Sequence, residues 1–252
     1  MIPGAAGALP EPARGTTRRR GAAAAPFVAA LAALAAAVTA GAAPVELLRT
    51  GTFRAFEVTS KNGQVWYGVF DSSGTVIARP SVVLVTPARD ASRDSAGSAT
   101  GTRVSILGGG APLFLVRGIE RLRPGIVPTL IRKPRALRPG EIVFLPLHAT
   151  ARYRLHAEAP PAPDPSLPRG YRLSLERMGL VAEGSRVVFE SSRPGVPPPI
   201  VWAGDLDRDD RIDLLMETGG GERASEWNLY LSDPARGEEM VRQVATLRSE
   251  GR

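Results

Sequence analysis

The 252-residue chain carries 32 Lys and Arg against 25 Asp and Glu, a formal net charge of +7, and 43% of its residues are hydrophobic. That apolar content excludes a globally disordered chain, and the length allows one large domain or two small ones. The chain contains no cysteine. It therefore has no disulfides, thiolate metal sites, cysteine nucleophiles or lipoprotein anchor.

The first 40 residues predict a secretory signal peptide. Three arginines at 18–20 precede an alanine-rich apolar stretch at 22–38, and Val38-Thr39-Ala40 has the small-x-small pattern of a cleavage site. The alternative is an uncleaved anchor, but about 17 residues made mostly of alanine are short and weakly apolar for a membrane span. We expect an exported protein, periplasmic or extracellular, without a stable membrane span after cleavage.

Cleavage would lower the basic excess. Residues 1–40 hold four arginines and Glu11, so the mature chain has 28 basic and 24 acidic residues, a net charge of +4. No cluster of basic residues interleaved with aromatic ones remains in it. Nucleic acid is therefore not an expected partner.

Short segments that alternate apolar and polar residues dominate the mature chain and predict an all-β protein. Residues 65–70 and 75–78 flank a turn sequence at 71–74, which together predict a β-hairpin. Residues 82–85 are apolar on both faces and predict a buried strand that continues this sheet. Further strands are predicted at 113–116, 148–156, 171–175, 187–190 and 200–202. We expect antiparallel sheets in a sandwich-like arrangement.

A proline-rich connection divides the mature chain. Five prolines fall within residues 160–168, which is typical of a stiff link in a long hairpin or between subdomains. The connection separates an N-terminal β region at 41–159 from a C-terminal β region at 169–252.

One acidic segment carries recognisable chemistry. Four aspartates occupy positions 1, 3, 5 and 9 of residues 205–213: Asp205, Asp207, Asp209 and Asp213. Alternate side chains of a tightly turning loop point at one centre, and Ca²⁺ takes six to eight oxygen ligands of this kind. Zinc and iron prefer nitrogen or sulfur ligands, and Mg²⁺ keeps several waters, so Ca²⁺ is the expected cofactor. The alternative is a solvated acidic turn that holds no ion.

Apolar residues at 200–204 and 214–216 flank this segment, which predicts a calcium-loop hairpin near the C-terminus. The pattern resembles the D-x-D-x-D-G-x-x-D loop of FG-GAP and VCBS repeats, found in integrin-type propellers and many secreted bacterial proteins. That resemblance implies side-chain ligands from the four aspartates and a backbone carbonyl ligand from Arg211. The family's glycine at position 6 is Asp210 here, and aspartate is among the few residues that tolerate a positive φ.

The loop occurs once, so a propeller of such repeats is not expected. We expect an exported, non-enzymatic β-protein that binds one structural calcium ion. Two alternatives stay open: a secreted hydrolase acting on glycans or esters, and an extracellular adhesion or ligand-binding module.

No motif of a known nucleophile, zinc protease or nucleotide-binding loop is present, so no catalytic residue is assigned. A hydrolase would require two scattered acids to meet, and the candidates are Glu57, Glu141, Glu158, Glu176 and Glu190. Alternation over residues 148–156 places both histidines of the chain, His148 and His156, on the polar face of one predicted strand. There we expect them to be ordinary surface residues.

Overall fold

The computed structural model describes residues 43–89, 94, 99–161, 164, 167–179, 185–193, 195–221, 224–232 and 239–250. The predicted signal peptide at 1–40 lies outside the described residues, and Gly41–Arg252 form one compact unit. The described residues form strands and no helix, which confirms the predicted all-β class. They accordingly include no helix long and apolar enough to cross a membrane.

Sixteen strands are found in the described part of the chain. In order they are β1 Glu46–Leu48, β2 Gly51–Arg54, β3 Val65–Ser72, β4 Thr75–Ala88, β5 Gly101–Ile106, β6 Phe114–Arg117, β7 Gly125–Ile126, β8 Thr129–Ile131, β9 Ile142–Pro146, β10 Arg152–Glu158, β11 Tyr171–Met178, β12 Ser185–Ser191, β13 Ile200–Gly204, β14 Asp213–Gly221, β15 Ala224–Leu231 and β16 Arg242–Glu250.

These strands form three antiparallel sheets. The N-terminal sheet has the order β1-β6-β3-β4-β5-β2, with β7 paired to β4. The middle sheet has the order β16-β15-β14-β13-β8, and the outer sheet has the order β12-β11-β10-β9. Strand β8 pairs with β13, which lies about 70 residues later in the chain. The middle sheet therefore includes a pairing between distant segments.

The β3–β4 hairpin confirms the prediction made from residues 65–78. Ser73 and Gly74 have φ values of 51° and 93°, which is typical of the two-residue turns that match strand twist. The Asp71 carboxylate accepts the Gly74 N–H at 3.0 Å. Asp71 and Gly74 therefore do what their types predict, whereas Ser73 adopts a positive φ that is uncommon for serine.

Residues 82–85 are not a separate strand, because β4 continues through them to Ala88. Val83 is fully buried and Val85 packs against the same core. Val82 and Leu84 are only half-buried. The prediction of a strand buried on both faces is therefore wrong: one face of β4 packs on the core and the other is partly exposed.

The middle sheet is covered on both faces. On one face Trp202 packs against Phe114 of the N-terminal sheet, with ring centroids 5.6 Å apart in an edge-to-face arrangement. On the other face Met216 belongs to a cluster with Leu155 of the outer sheet. Covering both faces explains why residues 200–203 form a continuous apolar run instead of an alternating one.

The proline-rich connection at 160–168 joins two paired strands. Strands β10 and β11 are antiparallel, and Glu158 lies opposite Arg172 in their register. The connection therefore spans a hairpin of the outer sheet. The predicted limits of the two β regions, 41–159 and 169–252, stay a prediction.

Candidate metal centre

The acidic loop lies between β13 and β14, two neighbouring strands of the middle sheet. Gly204 pairs with Asp213, so the two ends of the loop are held together by the sheet. A Cβ atom at Gly204 would lie 2.2 Å from the Pro128 carbonyl oxygen, and the Asp205 N–H donates to that oxygen at 2.9 Å. Glycine is required here because any side chain would push β13 away from the segment before β8.

Asp205 organises the turn from its first position. One oxygen of its carboxylate accepts the Asp209 N–H and the other accepts the Asp210 N–H, both at 3.0 Å. The side chain is buried. Burial raises the pKa of Asp205 above its ordinary value because it disfavours the charged form, while the hydrogen bonds from Asp210 and Asp209 oppose that rise.

Three of the four predicted carboxylates converge. One oxygen from each of Asp205, Asp207 and Asp209 lies within 4.8 Å of the other two. Calcium binds oxygens at about 2.3–2.6 Å, so two ligands of one ion are separated by at most about 5 Å. The spacing of the three oxygens is therefore compatible with one shared ion. Among the residues that the structure describes, no other three His, Asp or Glu side chains form such a group.

Asp207 and Asp209 differ in their surroundings. Asp207 is buried, and its Oδ1 atom accepts no hydrogen bond, although the residue has another interaction in the structure. Asp209 is half-buried. It accepts the Arg211 N–H at 2.9 Å through Oδ1 and the Ser232 hydroxyl at 2.8 Å through Oδ2. The position of its carboxylate is therefore fixed from both sides.

Asp213 does not belong to the converging group. Its side chain is fully buried, with Oδ2 accepting the Leu206 N–H at 2.8 Å and Oδ1 accepting the Ser232 N–H at 2.9 Å. Burial, followed by the negative charge of Asp207, raises the pKa of Asp213 well above its ordinary value. The hydrogen bonds of Asp213 tie the start of the loop to the end of β15.

Two loop residues adopt the left-handed conformation. Asp210 has a φ of 64° at the position where the resembling loops have glycine, and Arg208 has a φ of 61°. The Arg208 guanidinium donates to the Arg123 carbonyl oxygen at 3.2 Å. Arg211 donates from its side chain to the Ser232 carbonyl oxygen at 3.5 Å. That the Arg211 backbone carbonyl is a metal ligand stays a prediction.

Sequence reasoning missed Ser232, which lies directly after β15 and is fully buried. Its Oγ atom lies 2.8 Å from Asp209 Oδ2 and 3.2 Å from Asp213 Oδ1. The hydroxyl proton therefore has two carboxylate acceptors. No motif could point to this serine, because it reaches the loop through the pairing of β15 with β14.

His148 also reaches the loop and corrects a prediction. Strand β10 begins at Arg152, and His148 lies before it in a tight turn in which the Leu147 and His148 N–H groups both donate to the Ala151 carbonyl. The histidines therefore do not share one strand face. His148 Nε2 lies 3.0 Å from the Asp210 carbonyl oxygen, whereas His156 lies on β10 with Nδ1 3.1 Å from Glu158.

The five acids considered for a hydrolase each have a partner of their own. Glu57 accepts the Arg54 N–H, and Glu141 accepts the Arg138 N–H. Glu158 is paired with His156, Glu176 with Arg154 and Glu190 with Arg172. No two of these five acids are partners of each other in these contacts.

Comparison with protein-family profiles, with curated proteins and with solved structures found no match to this chain.

Proposed function

We propose that residues 205–213 bind one Ca²⁺ ion and that the chain is an exported, non-enzymatic β-protein stabilised by it. The observation that carries the proposal is the convergence of oxygens from Asp205, Asp207 and Asp209 at the end of two paired strands. An FG-GAP or VCBS-like loop is the proposed type, supported by the left-handed conformation of Asp210 at the family's glycine position.

The donor chemistry favours calcium. The converging ligands are carboxylate oxygens, which hard cations prefer. A carboxylate offers about four lone-pair sites, so the N–H groups bonded to Asp205 leave room for an ion. Burial and neighbouring negative charge raise the pKa of Asp205 and Asp213. A divalent cation would offset that repulsion and favour the ionised carboxylates.

The contacts of the loop support a structural ion. The loop is bonded to Pro128 before β8, to Ser232 after β15 and to His148 before β10. An ion that fixes the loop would thus hold three separate parts of the compact unit in place. Binding only to the folded state stabilises it by about 2.7 kcal/mol when the free ion is a hundredfold above its dissociation constant.

Export is the second half of the proposal. It is supported by the signal-peptide pattern at 1–40, which precedes the described strands in the chain. Extracellular calcium modules bind with dissociation constants of about 10⁻⁴–10⁻³ M, so a loop of this affinity would be filled where free calcium exceeds that range. Mass spectrometry of the protein recovered from its native compartment should give an N-terminus at Gly41.

The test of calcium binding is thermal unfolding of the full chain in calcium, in magnesium and in EDTA. Calcium should raise Tm by about 5–10 °C, since about 2–4 °C corresponds to each kcal/mol at this length. Magnesium should raise it less. Asp205→Asn and Asp207→Asn should remove the calcium response.

Asp71→Asn is the matched control, because Asp71 begins the turn of another hairpin and lies outside the acidic group. This variant should keep the full response to calcium. A wild-type Tm that is the same in calcium and EDTA would refute the proposal.

A further inference from the structure

Strand β9 forms one edge of the outer sheet and pairs only with β10 among the described strands. Its side chains alternate: Val143 and Leu145 are buried, whereas Ile142 and Phe144 are 44% and 61% exposed. Two large apolar side chains therefore lie on the outer face of an edge strand. An exposed hydrophobic edge of this kind is a template for pairing with another chain.

The backbone of β9 also points outward at these two residues. The Ala157 N–H donates to the Glu141 carbonyl oxygen at 3.0 Å, and this bond continues the register that joins β9 to β10. Hydrogen-bonded and non-hydrogen-bonded pairs alternate in an antiparallel ladder. The odd-numbered residues of β9 therefore bond to β10, and Ile142 and Phe144 point their N–H and C=O groups toward the open edge.

The two edges of the outer sheet differ in how they are protected. Strand β12 carries Arg186 and Glu190, and a bulge between Leu173 and Ser174 interrupts its pairing with β11. Charges and bulges are devices that prevent edge pairing. Strand β9 has no charged residue and keeps a regular register with β10. Its one such device is Pro146 at its last residue, which ends the stretch that can pair because proline has no N–H.

Two copies of β9 fit each other in one antiparallel register. With Val143 on the two-fold axis, Ile142 of each copy lies opposite Phe144 of the other, and each of these pairs can exchange both backbone hydrogen bonds. Pairs of aromatic and β-branched side chains stabilise such ladders. An axis at Phe144 would instead place Pro146 opposite Ile142, whose carbonyl oxygen would then face no N–H.

We propose that β9 is the contact surface of a homodimer, in which two four-stranded outer sheets join into one continuous sheet. A second copy is the partner because the uncharged edge is self-complementary in both its side chains and its hydrogen-bonding groups. Strands of five residues would bury less than the about 1,200 Å² of a stable interface, so the dimer is weak and concentration-dependent. The proposal does not depend on calcium binding.

The test measures the mass of the full chain by sedimentation velocity, from micromolar to millimolar concentrations. The wild type should change from monomer to dimer. Phe144→Glu should fold, because the position is exposed, and should weaken dimerisation by about tenfold or more, because it places a carboxylate against apolar Ile142. Val187→Glu is the matched control: it adds the same charge at a 41% exposed position of β12, the opposite edge, and should leave dimerisation unchanged.

A mixing experiment tests which residues lie opposite each other. Ile142→Lys alone should weaken dimerisation, as Phe144→Glu does. An equimolar mixture of the two variants should dimerise better than either variant by itself. In the mixed dimer the introduced ammonium lies opposite the introduced carboxylate, and the second pair keeps its native residues.

Cross-linking tests the position of the two-fold axis, because the chain has no cysteine of its own. Opposite residues of a non-hydrogen-bonded pair have Cα atoms about 4.5 Å apart, which a disulfide can bridge. Mild oxidation of Val143→Cys should therefore give a covalent dimer. Leu145→Cys is the matched control on the same strand face. Its two copies would be offset by about 14 Å along the strands, so it should stay uncross-linked.

Circular dichroism checks the folding of every variant. If the variants at the buried positions 143 and 145 do not fold, Ile142→Lys and Phe144→Glu at exposed positions keep the test decisive. A wild type that stays monomeric at every concentration would overturn the proposal and leave the edge to a different partner. Equal weakening by Phe144→Glu and Val187→Glu, or cross-linking at 145 as readily as at 143, would overturn it as well.

Discussion

Two hairpins of this protein turn at aspartates and use them differently. The β3–β4 turn has Asp71 bonded to Gly74 three residues on, and both residues are exposed. In the β13–β14 loop, Asp205, Asp207 and Asp213 are buried. Water compensates a single exposed carboxylate, whereas buried carboxylates need N–H donors, protons or a cation. The same residue type is thus a local turn former in one hairpin and a candidate metal ligand in the other.

The largest difference between the hairpins should appear on removal of Asp213. Asp213→Ala would leave the Leu206 and Ser232 N–H groups buried without their acceptor. It should lower the free energy of unfolding by about 2–6 kcal/mol, since each of the two unsatisfied groups costs about 1–3 kcal/mol. Asp71→Ala should cost less than about 1 kcal/mol. Urea denaturation measures both, and equal losses would mean that the two hairpins are equivalent.

Ser232 tests whether the acidic loop depends on a distant strand. Ser232→Ala removes the hydroxyl that donates to Asp209 and should cost about 1.5–3 kcal/mol, the range for hydrogen bonds to charged groups. It should also weaken calcium binding measured by titration calorimetry. Ser232→Thr keeps the hydroxyl and should restore most of the calcium affinity but not the stability, because its extra methyl group must fit a fully buried position. Ser191→Ala, which removes an exposed hydroxyl bonded to the Arg193 carbonyl, serves as the control and should change neither.

The pH dependence of the calcium-free protein separates the hairpins next. Burial raises the pKa of Asp205 and Asp213 above 3.8, so the folded state binds more protons than the unfolded state between that value and the raised pKa. In EDTA their contribution to stability is therefore greatest at the acidic end of this window and is lost as the pH rises through the folded-state pKa.

Comparison with Asp213→Asn, which cannot ionise there, isolates the effect of Asp213. The free energy of unfolding of the wild type, minus that of the variant, should increase as the pH falls from about 7 to about 4 in EDTA. Urea denaturation at several pH values measures it. A difference that stays constant with pH would contradict the buried-carboxylate account.

The smallest effect concerns a feature that the two hairpins share, a non-glycine residue with a positive φ. Ser73 and Asp210 both have a positive φ, 51° and 64°. Ser73→Gly and Asp210→Gly should each stabilise the protein by less than about 1 kcal/mol, because relief of strain is offset by the greater freedom of glycine in the unfolded chain. A much larger gain for Asp210→Gly in EDTA than in calcium would show that its charge, rather than its φ, dominates.

Local features were predictable from the sequence. The alternation of apolar and polar residues and the turn residues located the β3–β4 hairpin. The spacing of the aspartates located the acidic loop, in which Asp205, Asp207 and Asp209 converge. These patterns are readable because strand period and turn chemistry act over a few residues. The left-handed conformation of Asp210 agrees with what the resemblance to FG-GAP and VCBS loops implies for their sixth position.

Non-local features were not predictable. The strand order that places β8 beside β13 and covers the middle sheet on both faces depends on pairings between distant segments. The roles of Ser232 and His148 follow from that order, as does the use of Asp213 as a hydrogen-bond acceptor for Leu206 and Ser232. The alternation at 148–156 misplaced His148 because a tight turn interrupts it.

Gly204 marks the place where the loop joins the middle sheet. One face of this sheet shares a hydrophobic cluster with the N-terminal sheet, and the other face shares a second cluster with the outer sheet. Unfolding of this sheet would therefore expose both clusters at once, and its amides should exchange with solvent only when the whole compact unit opens. Hydrogen exchange at β13 and β14 then reports global unfolding. Any change that steadies the loop should slow exchange in the N-terminal and outer sheets alike, so that a nine-residue segment influences the cooperativity of the entire unit.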